Sequence, residues 1–74
     1  NNMYSNLKEI VINIATEKGI ELTNGRKDWI RDIERQLDDE KISGEDAINI
    51  LKKEFSYNLK EEDYLKIKKK VEWR

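Results

Sequence analysis

Apolar residues recur along this 74-residue chain at spacings of three and four, the period of amphipathic helices. Met3, Leu7, Ile10, Val11 and Ile14 share one face and predict a helix from about Asn6 to Lys18. Ser5 or Asn6 can cap it, and Gly19 suits the left-handed position that ends many helices. Ile20 and Leu22 alternate across a short extended link. Thr23-Asn24-Gly25 signals a turn or cap before a second helix, from about Arg26 to Glu40, with Trp29, Ile30, Ile33 and Leu37 as its stripe. The third start is the clearest. Ser43 is a hydroxyl N-cap with Asp46 three residues on, a capping-box arrangement, and Ala47, Ile48, Leu51 and Phe55 face inward before the helix ends near Ser56. The fourth helix is expected to begin at Asn58, with Glu61 as the reciprocal acid and Tyr64, Ile67 and Val71 as a narrow stripe. Its acids come early and its lysines late, as the helix dipole favours. Ile42-Ser43-Gly44-Glu45-Asp46 and Leu59-Lys60-Glu61-Glu62-Asp63 are alike, which reads as shared capping chemistry; the match fades after Ile50 and Ile67.

The expected fold is all-α: residues 1–74 as one domain, a compact bundle of four short helices, with a three-helix core plus a loosely docked C-terminal helix as the variant. The expected core is Leu7, Ile10, Val11, Ile14, Trp29, Ile30, Ile33, Leu37, Ala47, Ile48, Leu51, Phe55, Ile67 and Val71, with Ile20, Leu22, Ile42 and Leu59 closing the ends. Short links suit consecutive helices packing as neighbours.

Composition narrows the chemistry. There is no Cys and no His, which removes disulfides, thiolate metal sites, the commonest general base and the commonest metal ligand. There is no Pro, which suits uninterrupted helices. Charged residues make up 42% of the chain, yet the net charge is −1, so both signs intermix on a solvated surface. The distribution is uneven: residues 38–58 carry three basic and six acidic groups, and residues 59–74 carry six and four. No apolar run approaches the roughly 20 residues that span a bilayer, and no basic-then-apolar leader opens the chain, so a cytoplasmic protein without membrane association is expected. Heavy use of Lys, Ile and Asn suggests an AT-rich bacterial or phage genome by association.

Acid-rich stretches invite a test for calcium. An EF-hand loop needs oxygen ligands at alternating positions and Gly at the sixth. Counting from Asp38 puts Ile42 fifth and Ser43 sixth, and counting from Asp39 puts Lys41 third. Neither register fits. Thr16, Thr23 and the serines have no His to activate them, the three glycines are isolated, and carboxylates fall on solvent faces. No catalytic residue, metal site, cofactor or small-molecule substrate is expected, and the chain is read as a non-enzyme.

Two binding readings remain. Residues 33–55 read as helix, tight turn, helix, but a DNA-reading second helix would open with Glu45 and Asp46, which repel phosphate. The better basic surface is the last helix, where Lys66, Lys69 and Lys70 lie on the polar face with Trp73 among them. Nucleic-acid binding through that helix is the alternative. The preferred reading is a protein-interaction or regulatory module: an inhibitor, an adaptor or a small bacterial or phage regulator, with a protein partner or self-association. It rests on apolar residues that miss their stripes: Ile12, Ile50, Leu65 and Trp73. The expected contacts are Trp73, Lys66, Lys69 and Lys70, then Ile12 and Ile50. An acidic inhibitor that mimics nucleic acid is a sub-case, with Asp38, Asp39, Glu40, Glu45 and Asp46 as its charged face, although a solvated helix junction explains those acids more simply.

Within residues 33–55, Leu37, Ile42-Ser43, Glu45-Asp46 and Lys52-Lys53 give a segment that resembles the short helical-hairpin domain found at the C-termini of many bacterial proteins. The chain departs from that pattern at Lys41, where a Gly is usual, and in having a further helix. The resemblance implies an oligomerisation or docking element.

Overall fold

Four helices form in chain order: α1 (Leu7–Glu17), α2 (Asn24–Asp38), α3 (Gly44–Glu54) and α4 (Glu61–Lys70). The computed structural model describes residues 6–56 and 58–71, so Met3 and Ser5 lie outside the described residues. The starts follow from who satisfies the free N–H groups of each first turn. Thr23 Oγ1 accepts from the Arg26 N–H at 3.1 Å, so α2 opens at Asn24, two residues before the sequence suggests. Ser43 and Asp46 form the expected reciprocal box: the Asp46 N–H donates to Ser43 Oγ at 3.0 Å and the Ser43 N–H to Asp46 Oδ2 at 3.1 Å. The Asn6 side chain makes no cap hydrogen bond. Glu34 caps α1 from across the bundle instead, its Oε2 accepting from the Lys8 N–H at 3.2 Å.

The fourth start corrects the sequence reading. α4 is capped at Lys60, not Asn58, and the reciprocal acid is Asp63, not Glu61. The N–H groups of Asn58 and Leu59 both donate to the Phe55 carbonyl, at 3.0 and 2.9 Å, so this stretch turns off the end of α3. Leu59, only 3% exposed, is buried just ahead of the cap. Lysine has no side-chain acceptor, so only the acid half of the box forms, the Lys60 N–H donating to Asp63 Oδ2 at 2.7 Å.

α1 and α2 end alike. Gly19 takes φ +75°, and the Ile20 and Gly19 N–H groups donate to the carbonyls of Ala15 and Thr16 at 2.8 and 3.0 Å. Glu40 takes φ +61°, and the N–H groups of Lys41 and Glu40 donate to the carbonyls of Gln36 and Leu37 at 2.9 and 3.0 Å. This paired pattern closes a helix through a left-handed residue. It stops α2 at Asp38 rather than Glu40, and the residue that adopts a glycine-like conformation is Glu40, one before Lys41.

The helices pack as a closed ring: α1 on α2, α2 on α3, α3 on α4, and α4 back on α1. The described residues enclose one core that includes Leu7, Val11, Ile14, Ile30, Ile33, Ala47, Ile48, Leu51, Phe55, Leu59, Tyr64, Ile67 and Val71. The protein is therefore a small all-α bundle of four helices, and the variant with a loosely docked last helix is set aside, because Tyr64, Ile67 and Val71 are core residues. Ala15 and Tyr64 are buried beyond the expected list. Ile10, Trp29, Ile20, Leu22 and Ile42 sit at its edge, half-buried against it. The radius of gyration, 11.4 Å, matches the roughly 11 Å expected of a globular chain this long. Each fully buried Leu, Ile, Val or Phe contributes roughly 1.5–3 kcal/mol. Exposed ion pairs such as Arg26–Glu54 at 2.9 Å and Lys52–Glu61 at 3.4 Å contribute below about 1 kcal/mol each, so burial dominates stability.

One ionic contact differs. Asp63 is a charged residue only 3% exposed, and its Oδ2 also accepts from Lys18 Nζ at 2.6 Å. Lys18 is the C-cap residue of α1, and its side chain keeps 29% of its surface in solvent. Burial pushes the Asp63 carboxyl up, but the Lys18 hydrogen bond, the Lys60 backbone N–H and the positive fields of Lys18 and Lys66 outweigh it, holding the group below its ordinary value.

The two helix ends differ in residue but not in geometry, which sets opposite expectations for two substitutions. Glu40→Gly removes a side chain from a left-handed backbone and is expected to stabilise by up to about 1 kcal/mol. Gly19→Ala meets no atom within 4 Å, so its cost is conformational, about 1 kcal/mol of destabilisation. Urea denaturation of both variants measures the two signs.

Candidate interaction surface

α4 is held by Asp63 at its start and by Tyr64, Ile67 and Val71 along its inner face. With residue 63 turned inward, the 100° step of a helix turns residue 65 outward. Leu65 is 52% exposed, the exposed large hydrophobic among the described residues. Its neighbours one turn away, at three and four residues on either side, are Glu61, Glu62, Lys68 and Lys69, all exposed. The outer face of α4 is thus an apolar point with acids on the N-terminal side and lysines on the C-terminal side. Lys66 and Lys70 are exposed on its flank.

The residues expected to make contacts divide into separate places. Lys66, Lys69 and Lys70 are exposed on α4 as the sequence suggests. Trp73 lies outside the described residues. Ile12 is half-buried and lines an open groove of about 560 Å³ between the end of α1 and the start of α2, with Thr16, Gly19, Ile20, Leu22 and Lys27. No α4 residue lines that groove. Ile50 is half-buried against the core on α3. Neither isoleucine is therefore an exposed anchor beside the lysines. Leu65 holds that position, and its place off the Tyr64/Ile67/Val71 stripe was the sequence signal for it.

The acidic stretch is interleaved with cations. Asp38 and Asp39 share a groove of about 470 Å³ with Arg31 and Arg35. Glu45 shares one of about 310 Å³ with Gly44, Ile48 and Lys68. Asp46 is engaged in its cap. Among the described residues no group of three or more acids is placed to hold a metal ion. No helix among them is long and apolar enough to cross a membrane.

Where α3 meets α4, Lys52 Nζ stands 5.6 Å from the centre of the Tyr64 ring. The Tyr64 hydroxyl is buried and makes no hydrogen bond among the described residues. Burial, then the negative fields of Asp63 and Glu61, push this phenol above its ordinary value. At the α2–α3 end, Arg26 stacks over Phe55 at 5.1 Å, and Trp29 meets the same ring at 6.1 Å, tilted. These contacts pin the frame that carries α4.

Neither the models of protein families, nor curated proteins, nor solved structures give a match to this chain. The functional reading therefore rests on the surface itself.

A buried hydroxyl without a partner costs roughly 1–3 kcal/mol. Tyr64→Phe keeps the ring and removes that cost, so its melting temperature is expected to rise, by several degrees for about 1 kcal/mol. A drop in the thermal melt would mean the hydroxyl is hydrogen-bonded after all.

Proposed function

We propose that this chain is a non-enzymatic protein-binding module that engages its partner through the outer face of α4. The observation that carries the reading is Leu65, exposed on a helix whose other apolar residues are buried and ringed by charges of both signs. A single apolar anchor within a charged rim is the layout of a binding hot spot, where desolvation of the anchor supplies affinity and the rim supplies register. A preformed helix face is a suitable template for another helix. A regulatory role, a cytoplasmic setting and a bacterial or phage origin belong to the same proposal and rest on composition.

The second reading is nucleic-acid binding through Lys66, Lys69 and Lys70, which are exposed together on the last turns of α4. Glu61 and Glu62 on the same helix and a net charge of −1 weigh against it.

A display selection of helical peptides against the purified chain, run beside anisotropy titrations with duplex and single-stranded DNA and RNA at low salt, separates the two. The protein-binding reading expects converging peptides whose binding drops tenfold or more in Leu65→Ser. Peptides that bind Leu65→Ser equally well would overturn it. So would nucleic-acid binding that falls steeply with salt and vanishes when the three lysines become alanine.

A further inference from the structure

The outer face of α4 is self-complementary. Lay a second α4 antiparallel against the first, with a two-fold axis at Leu65. Each Leu65 then meets its counterpart. On one flank lie Glu61 and Lys68, seven residues apart; on the other lie Glu62 and Lys69, also seven apart. The rotation keeps each flank on its own side and reverses its direction, so Glu61 faces Lys68 of the second copy, and Glu62 faces its Lys69. Their distances along the axis agree to within one helical rise, about 1.5 Å. The two-fold doubles this to four opposite-charge contacts around one apolar centre. α3 extends the pattern. Lys52 lies beside Glu61, at 3.4 Å, and Glu45 borders the same groove as Lys68. In the pair, Lys52 of one copy therefore borders Glu45 of the other.

We propose that the partner of this face is a second copy of the chain, docked α4 to α4 in an antiparallel, two-fold symmetric pair. This rests on the protein-binding reading above and names its partner. Such an interface is isologous, each residue pair occurring twice, so one patch of residues completes it and the assembly closes at two. A parallel two-fold pair would exchange the flanks and set Glu61 against Glu62 and Lys68 against Lys69, and like charges facing each other are repulsive. A ten-residue helix is only about 15 Å long, too short for the roughly 800 Å² per partner of a standard interface. The pair is accordingly weak, dissociating at about 10⁻⁵ to 10⁻³ M, and suited to chains concentrated locally.

The test is sedimentation equilibrium from about 10 μM to 1 mM on the wild type, Leu65→Ser, and two charge variants, E61K/E62K and K68E/K69E, with helicity checked by circular dichroism. The wild type is expected to rise from the monomer mass at the bottom of the range to about one and a half times that mass or more at 1 mM. Leu65→Ser, whose exposed position leaves folding intact, should weaken association at least tenfold. Each charge variant alone has a face of one sign and should stay monomeric. Their equimolar mixture pairs an all-lysine face with an all-glutamate face and should associate at least as well as the wild type, less so in salt. A wild type that stays monomeric at 1 mM, a dimer indifferent to Leu65→Ser, or a mixture that does not associate would each overturn the self-pairing. If the wild type stays monomeric while selected peptides still need Leu65, the protein-binding reading survives and only the identity of the partner is wrong.

Discussion

A single carboxylate oxygen decides how α4 sits. Asp63 Oδ2 takes the Lys60 backbone N–H at 2.7 Å and the Lys18 ammonium at 2.6 Å. The first bond starts the helix and the second ties that start to the end of α1. Once residue 63 is turned inward, helical geometry leaves little freedom: Tyr64, Ile67 and Val71 follow it into the core and Leu65 is presented to solvent. Burying a carboxylate is costly on its own, and the bonds to it make the site tolerable while penalising any rotation of α4 that breaks them. Hydrophobic burial supplies most of the stability. The ion pair selects which arrangement of α4 enjoys it.

Much of this was legible in the sequence, because helix stripes and short-range caps are encoded locally. The periodicity gave four helices and nearly all of the core. The Ser43–Asp46 box was readable because both partners lie within four residues of each other. What escaped was tertiary. Glu34 capping α1 involves residues 26 positions apart, and Lys18 meeting Asp63 involves residues 45 apart. The start of α4 was misplaced because Asn58 is a good cap by type, whereas burial of Leu59 forces the cap onto Lys60, a poor one. The likeness of residues 42–46 to residues 59–63 already pointed to Asp63, since it pairs Asp63 with Asp46.

The candidate surface was half visible. The lysines of α4 are exposed as expected, but Ile12 and Ile50, which miss their stripes, are half-buried, Ile12 at the groove between α1 and α2 and Ile50 against the core. A residue off one stripe in a ring of four helices can still face a second neighbour. Leu65 misses its stripe on the outer side of the ring and is 52% exposed. Its surroundings then matter more than its exposure, since isolated surface leucines are common. Here the charges around it are ordered by sign along the helix, an order that the dipole favours and that also makes the face its own complement.

The most direct test of the claim that Asp63 sets this arrangement is the unfolding free energy of the wild type and Asp63→Asn, compared from neutral pH down to about 2. A carboxyl that the fold holds below its ordinary value of 3.8 binds its proton more weakly in the native state. Its contribution is therefore complete above that value and is lost as pH falls through the lower, native one. The wild type should be more stable at neutral pH by about 1–3 kcal/mol, with the gap closing below about pH 4. A gap that stays constant over the whole range, or no gap at neutral pH, would contradict the account.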